Sequence, residues 1–124
     1  MSLDSILQAI LDAERGILAV ALMDGDGIPI AEARGALAGS LIPDSGLSTL
    51  AVEFSRALAE VEKASDVVGG GRAGELIVSM TRLTLIFAAV ETGLTLVLAT
   101  EPDGNLGKAR YLIRRNLLEI RQQL

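Results

Sequence analysis

The sequence predicts an α+β fold, a single five-stranded antiparallel sheet with helices on both faces. Two observations predict it. Apolar residues recur at helical spacing in three segments, at the start, in the middle and at the end of the chain. Five shorter apolar runs, bounded mostly by turn residues, lie between those segments and indicate strands. The element order is α-β-β-α-β-β-β-α, with no linker and no repeat, so residues 1–124 form one domain.

The first three elements are a helix and a hairpin. Residues 2–13 have the apolar spacing of an amphipathic helix. Residues 17–23 are continuously apolar and predict an inner strand that is buried on both faces. Asp24-Gly25-Asp26-Gly27 predicts a tight hairpin turn. The returning strand, 28–34, contains Pro29, which cannot donate to a sheet ladder, and therefore lies at a sheet edge.

The middle of the chain predicts one long helix. A loop rich in Gly, Ser and Pro, 35–45, precedes it, and three glycines, 69–71, end it as a C-cap. The helix covers about residues 47–68. Its predicted apolar face consists of Leu47, Leu50, Ala51, Phe54, Leu58, Val61 and Val68.

Three strands and a closing helix complete the chain. The strands are expected near 74–80, 83–90 and 94–100, and the helix begins near Leu106. The apolar stretch 83–100 is long enough to cross a bilayer as a helix. However, Glu91-Thr92-Gly93 lies at its centre, where a carboxylate is costly, so the stretch predicts two strands and a turn. We therefore expect no membrane span, and the N-terminus lacks the pattern of a signal peptide.

Composition excludes most side-chain chemistry. The chain has no His, Cys or Trp, which removes the Ser-His-Asp triad, cysteine nucleophiles and imidazole or thiolate metal ligands. Only three residues are aromatic and the net charge is −5, which argues against nucleic-acid binding. The absence of Cys fits a cytoplasmic location. We expect a non-catalytic protein with no cofactor and no metal.

Two motifs have a structural interpretation. Residues 69–74, GGGRAG, match G-x-G-x-x-G, but they follow a helix and enter a strand, the reverse of a dinucleotide site. Asp24, Asp26 and Glu32 are candidate calcium ligands, but position 12 of a calcium loop that begins at Asp24 is Gly35 instead of Glu. Both segments are expected to be turns.

Three surface features indicate interactions. The last 19 residues hold five basic residues and one acidic residue, which either complements the helix dipole or docks an acidic partner or anionic membrane. The third strand lacks gatekeepers if it lies at an edge. The outer face of the middle helix combines small apolar residues with basic ones and is a candidate partner-binding face: Val52, Arg56, Ala59 and Lys63.

The chain resembles the Roadblock family, which includes Roadblock-type dynein light chains and bacterial MglB-type regulators of small GTPases. The resemblance covers nearly the whole chain. It is clearest in the first hairpin, 16–30, and at Pro102-Asp103-Gly104-Asn105-Leu106-Gly107, which enters the basic last helix with Ile113-Arg114-Arg115.

The resemblance implies a strand order of 2-1-5-4-3 and a homodimer formed through strand three and the middle helix. The implied dimer-interface residues are Glu75, Leu76, Ile77, Val78, Ser79 and Met80. The implied function is a regulatory or scaffolding module that binds a Ras-like small GTPase. The alternative is a structural adaptor of a larger complex, with no effect on GTP turnover. The resemblance supplies no catalytic residue.

Overall fold

The computed structural model describes residues 2–36, 42 and 46–124, which form three helices and five strands. In chain order these elements are α1 (Leu3–Ala13), β1 (Ile17–Asp24), β2 (Pro29–Arg34), α2 (Gly46–Val68), β3 (Glu75–Ser79), β4 (Thr84–Glu91), β5 (Leu94–Thr100) and α3 (Leu106–Gln122). The predicted order is confirmed, and most bounds agree within one residue. The loop predicted over 35–45 lies mostly outside the described residues.

The five strands form one antiparallel sheet in the order β2-β1-β5-β4-β3. β1, β5 and β4 are therefore inner strands, and their apolar runs are buried almost throughout. β2 and β3 are the two edges. Pro29 lies on β2, as its missing N–H requires.

Two apolar clusters hold the helices against opposite faces of the sheet. α1 and α3 cover one face, where Ile6, Ile10 and Ile113 pack with alternate residues of the inner strands. α2 covers the other face, where Leu47 and Ala51 join the remaining inner-strand residues. Alternation along each strand sends neighbouring side chains to different clusters, which explains why inner strands are apolar at every position.

The connections have the turn chemistry that the sequence predicts. Asp24 Oδ1 accepts hydrogen bonds from the backbone N–H groups of Asp26 and Ile28, and Gly27 takes the positive φ of the hairpin. α2 ends in a Schellman motif, in which the Gly70 N–H donates to the Ser65 carbonyl O at 2.9 Å. β4 and β5 join at a turn where Gly93 has positive φ. Among the described helices, none is long and apolar enough to cross a bilayer.

α2 differs from its sequence prediction in how much of its apolar face is covered. Leu47 and Ala51 are buried, and Leu50 and Phe54 are partly buried, with the Phe54 ring centroid 5.2 Å from that of Phe87. Farther along, Val61 is 47% exposed and Val68 is 79% exposed. The periodicity of the sequence continues for six turns, but the sheet face of one chain reaches only the first half of the helix.

Candidate protein-binding surfaces

The open edge of β3 is the first candidate surface. β3 hydrogen-bonds to β4 on one side, and no described strand lies on its other side. None of its five residues is fully buried, whereas the neighbouring β4 is buried at six of eight positions. Unpaired strand edges of this kind are templates for pairing with another chain.

The register of β3 identifies which backbone groups are free to pair. Ala89 N–H donates to the Gly74 carbonyl O, and Met80 N–H donates to the Leu83 carbonyl O. In an antiparallel ladder, alternate residues hydrogen-bond to the same neighbour, so Leu76 and Val78 bond to β4. The N–H and C=O groups of Glu75, Ile77 and Ser79 therefore point away from the sheet.

The side chains of β3 divide between the two faces. Leu76 and Val78 are partly buried against the cluster beneath α2, as is Met80, just beyond the strand. Ile77 lies on the opposite face and is 37% exposed. Glu75 is fixed by α3, since Arg110 Nε donates to Glu75 Oε1 at 2.6 Å and Arg114 lies 3.8 Å from Oε2. The edge is thus partly apolar on both faces, and its one carboxylate is already neutralised.

The other edge of the sheet is protected, which makes β3 distinctive. β2 begins at Pro29, and the β1–β2 register shifts between Leu22 and Met23. Arg34 Nη2 also donates to the Ile42 carbonyl O at 2.6 Å, which ties the end of β2 to the following segment. Proline and irregular register both hinder edge-to-edge pairing. β3 contains neither.

The outer face of α2 is the second candidate surface, and the structure distributes its four predicted residues unequally. Arg56, Ala59 and Lys63 are exposed. Arg56 pairs with Glu53 at 3.4 Å and Lys63 with Glu60 at 3.1 Å, both on the helix surface. Val52 is half-buried, because its Cγ2 lies against Gly27 in the β1–β2 turn. Partner binding by these four residues remains a prediction.

The two surfaces are connected through the end of α2. Glu62 Oε1 accepts a hydrogen bond from the Ala73 N–H at 3.3 Å, and Ser65 Oγ donates to the Gly71 carbonyl O at 2.7 Å. These contacts tie the last turns of α2 to the segment that enters β3. The partly covered end of α2 and the open strand edge therefore form one continuous region. The sequence indicated each part separately, but not their continuity.

Comparison with solved structures identifies this architecture. An MglB with a tetrameric arrangement matches with a TM-score of 0.84 and 21% identity, over 98% of this chain and 86% of that one. This chain has the Roadblock/LC7 fold. The Roadblock/LC7 domain from Streptomyces avermitilis matches with a TM-score of 0.77 and 15% identity, over 98% and 97% of the two chains.

MglC from Myxococcus xanthus matches over the full length of both chains, with a TM-score of 0.70 and 26% identity. No protein-family model matches the sequence, and no curated protein does so either. The expected Roadblock-like fold is thus confirmed by structural similarity.

Proposed function

We propose that this chain is a homodimeric Roadblock-type module that binds a Ras-like small GTPase and regulates its nucleotide cycle. In the dimer, β3 pairs with β3 of a second copy and extends the sheet to ten strands, with the two α2 helices side by side. The GTPase binds the surface of the α2 helices. The module supplies no catalytic group and acts by arranging the loops of the GTPase.

The observation that carries this proposal is the open β3 edge beside the partly covered α2. The free backbone groups of Glu75, Ile77 and Ser79 are symmetric about Ile77. An antiparallel pairing about a twofold axis at Ile77 matches Glu75 of each copy with Ser79 of the other. The same axis brings the two α2 helices together, which offers cover for Val61 and Val68.

Ile77→Pro tests the edge pairing without removing a hydrogen bond within the chain. The Ile77 N–H points away from β4, so proline removes a donor only from the proposed interface. We expect the mass of the assembly to fall at least twofold in light scattering after size exclusion, with the circular dichroism spectrum retained. Val78→Pro is the matched control, because it removes a donor to β4 and should unfold the sheet edge. An unchanged mass for a folded Ile77→Pro variant would contradict the edge dimer.

Arg56→Glu with Lys63→Glu tests the GTPase-binding face. Both side chains are exposed on α2, and their ion pairs on the helix surface contribute little to stability. With a Ras-like small GTPase that binds the unaltered chain, we expect the double variant to bind about tenfold more weakly or worse, which corresponds to a loss of about 1.4 kcal/mol or more. Arg115→Glu on α3 is the control and should bind normally.

Single-turnover GTP hydrolysis with and without the chain separates regulation from scaffolding. A changed rate that reverts with the α2 variant supports the regulator. Binding with no change in hydrolysis or nucleotide exchange supports the alternative, a structural adaptor. Absence of binding at every concentration tested would contradict the regulation of that GTPase by this chain.

A further inference from the structure

The solvent side of α3 carries a ridge of large apolar and basic residues, far from the β2 edge and on the face of the sheet opposite α2. Tyr111 and Leu118 are 57% and 63% exposed and lie two helical turns apart on the same side of the helix. Arg114 and Arg115 are exposed on either side of this line. We call these four residues the basic ridge.

The charge of the basic ridge is only partly neutralised within the chain. Arg110 and Arg121 have partners within the chain, since their Nε atoms donate to Glu75 and to the Val90 carbonyl O. Arg114 reaches Glu75 only at 3.8 Å and remains mostly exposed. Arg115 has no ion pair with any residue in the described ranges. An aromatic ring, a leucine and two exposed guanidinium groups, one of them without an ion pair, are together typical of a protein-binding surface.

The neighbouring helix on the same face has the opposite chemistry. α1 packs beside α3, and its solvent side exposes Asp4, Ser5, Ala9 and Asp12, which we call the acidic ridge. No basic residue occurs between Leu3 and Ala13. Gln8 lies between the two carboxylates, and its Nε2 donates to Asp12 Oδ1 at 3.0 Å. Ser5 and Ala9 are one turn apart and small, so they leave room for large side chains beside this row. Where the helices meet, Lys108 already pairs with Glu14 at 3.5 Å.

We propose that the layer formed by α1 and α3 is a second self-association surface, on which another copy of this chain docks face to face. A twofold axis lying between two such layers places the basic ridge of each copy over the acidic ridge of the other. Both sets of charges are then paired, and Tyr111 and Leu118 enter the space beside Ser5 and Ala9. A surface with complementary halves of this kind satisfies the requirement of an isologous interface.

A second copy fits this surface better than a membrane does. An anionic bilayer complements the basic ridge, but it repels Asp4 and Asp12 of the adjacent helix. A second copy pairs the charges of both ridges at the same time. The layer lies on the opposite face of the sheet from α2 and meets β3 where Arg110 and Arg114 reach Glu75. It is therefore a surface in addition to the one in the proposed function. Together the two interfaces give assemblies larger than a dimer.

Charge exchange between two variants tests the pairing of the ridges. Variant one carries Arg115→Glu, which keeps the Arg114 pair with Glu75 and puts an unpaired acidic residue in place of the unpaired basic one. Variant two carries Asp4→Lys and Asp12→Lys, so both of its ridges are basic. Each alone should have at least twofold lower mass than the wild type in sedimentation velocity, because its layers repel each other. An equimolar mixture should regain the wild-type mass, since both ridge pairs between unlike copies are again complementary.

A variant on the other face of the sheet serves as the control for the ridge variants. Arg56→Glu on α2 makes the same charge change as Arg115→Glu, but on the other face of the sheet, and should leave the layer contact intact. Equal masses for the wild type and both variants would overturn the proposal. So would a mixture that remains at the lower mass, or a wild type that associates only with phosphatidylserine vesicles. Recovery in the mixture also shows that both variants are folded.

Discussion

At the scale of single residues, two glycines with the same backbone conformation have different surroundings. Gly27 and Gly93 have φ of 77° and 79°, a region that L side chains rarely adopt. A Cβ on Gly93 would have no atom within 4 Å, whereas one on Gly27 would overlap Val52 Cγ2 and lie 3.1 Å from the Ser48 carbonyl O. Gly27 is therefore required both by its turn and by the contact of that turn with α2.

Gly27→Ala and Gly93→Ala measure these two requirements separately. Gly93→Ala should lower the free energy of unfolding by about 1–2 kcal/mol, the cost of the left-handed conformation. Gly27→Ala should cost about 1–3 kcal/mol more, because overpacking against Val52 adds to the strain. Val52→Ala in the Gly27→Ala background should recover part of that difference in urea denaturation. Equal costs for the two alanine variants would show that Val52 does not constrain the turn.

The same residues show what sequence could and could not predict. The Asp-Gly repeat predicted the hairpin because turn chemistry is local. It could not predict that Val52, 25 positions later, would lie against that turn, since helical spacing alone placed Val52 on the outer face. The pairing of Glu75 with Arg110 and Arg114 could not be predicted either, because it joins an edge strand to a helix that lies 35 or more positions away in the chain.

At the scale of elements, α2 shows what helical periodicity can and cannot predict about burial. An apolar stripe predicts which side of a helix is covered, but not how far along the helix the cover extends. The stripe correctly predicted Leu47, Ala51 and the partly buried Phe54. It also included Val61 and Val68, which one chain leaves exposed. We interpret this uncovered end as part of the proposed dimer interface, next to β3.

Val61→Asp tests whether the end of α2 contacts a second copy. In the Ile77→Pro background the substitution should change stability by only about 0.5 kcal/mol, since the side chain is already half-exposed. In the wild-type background it should weaken self-association, measured by sedimentation across a concentration series. Val67→Asp is the matched control on another side of the helix and should associate normally. If both variants self-associate as strongly as the wild type, the end of α2 lies outside the interface.

At the scale of the whole molecule, half of the residues are hydrophobic, and the strands supply most of those that are buried in the described part of the chain. The apolar stretch 83–100, which is long enough to cross a bilayer, forms β4 and β5 with Glu91 at the turn, as the sequence predicted. The fold class could be predicted because alternation, turns and helical spacing are local signals. The extent of the candidate interfaces could not be predicted, because it depends on which surfaces remain uncovered once all eight elements are packed.

Amide hydrogen exchange along β3 tests the proposed edge pairing most directly, since neighbouring residues report on opposite sides of the strand. The amides of Leu76 and Val78 bond to β4 and should be protected in any folded state. At concentrations where the chain self-associates, pairing with a second copy predicts that Glu75, Ile77 and Ser79 are protected as well. Protection that alternates along the strand, with these three amides exchanging as freely as unstructured chain, would contradict the edge dimer.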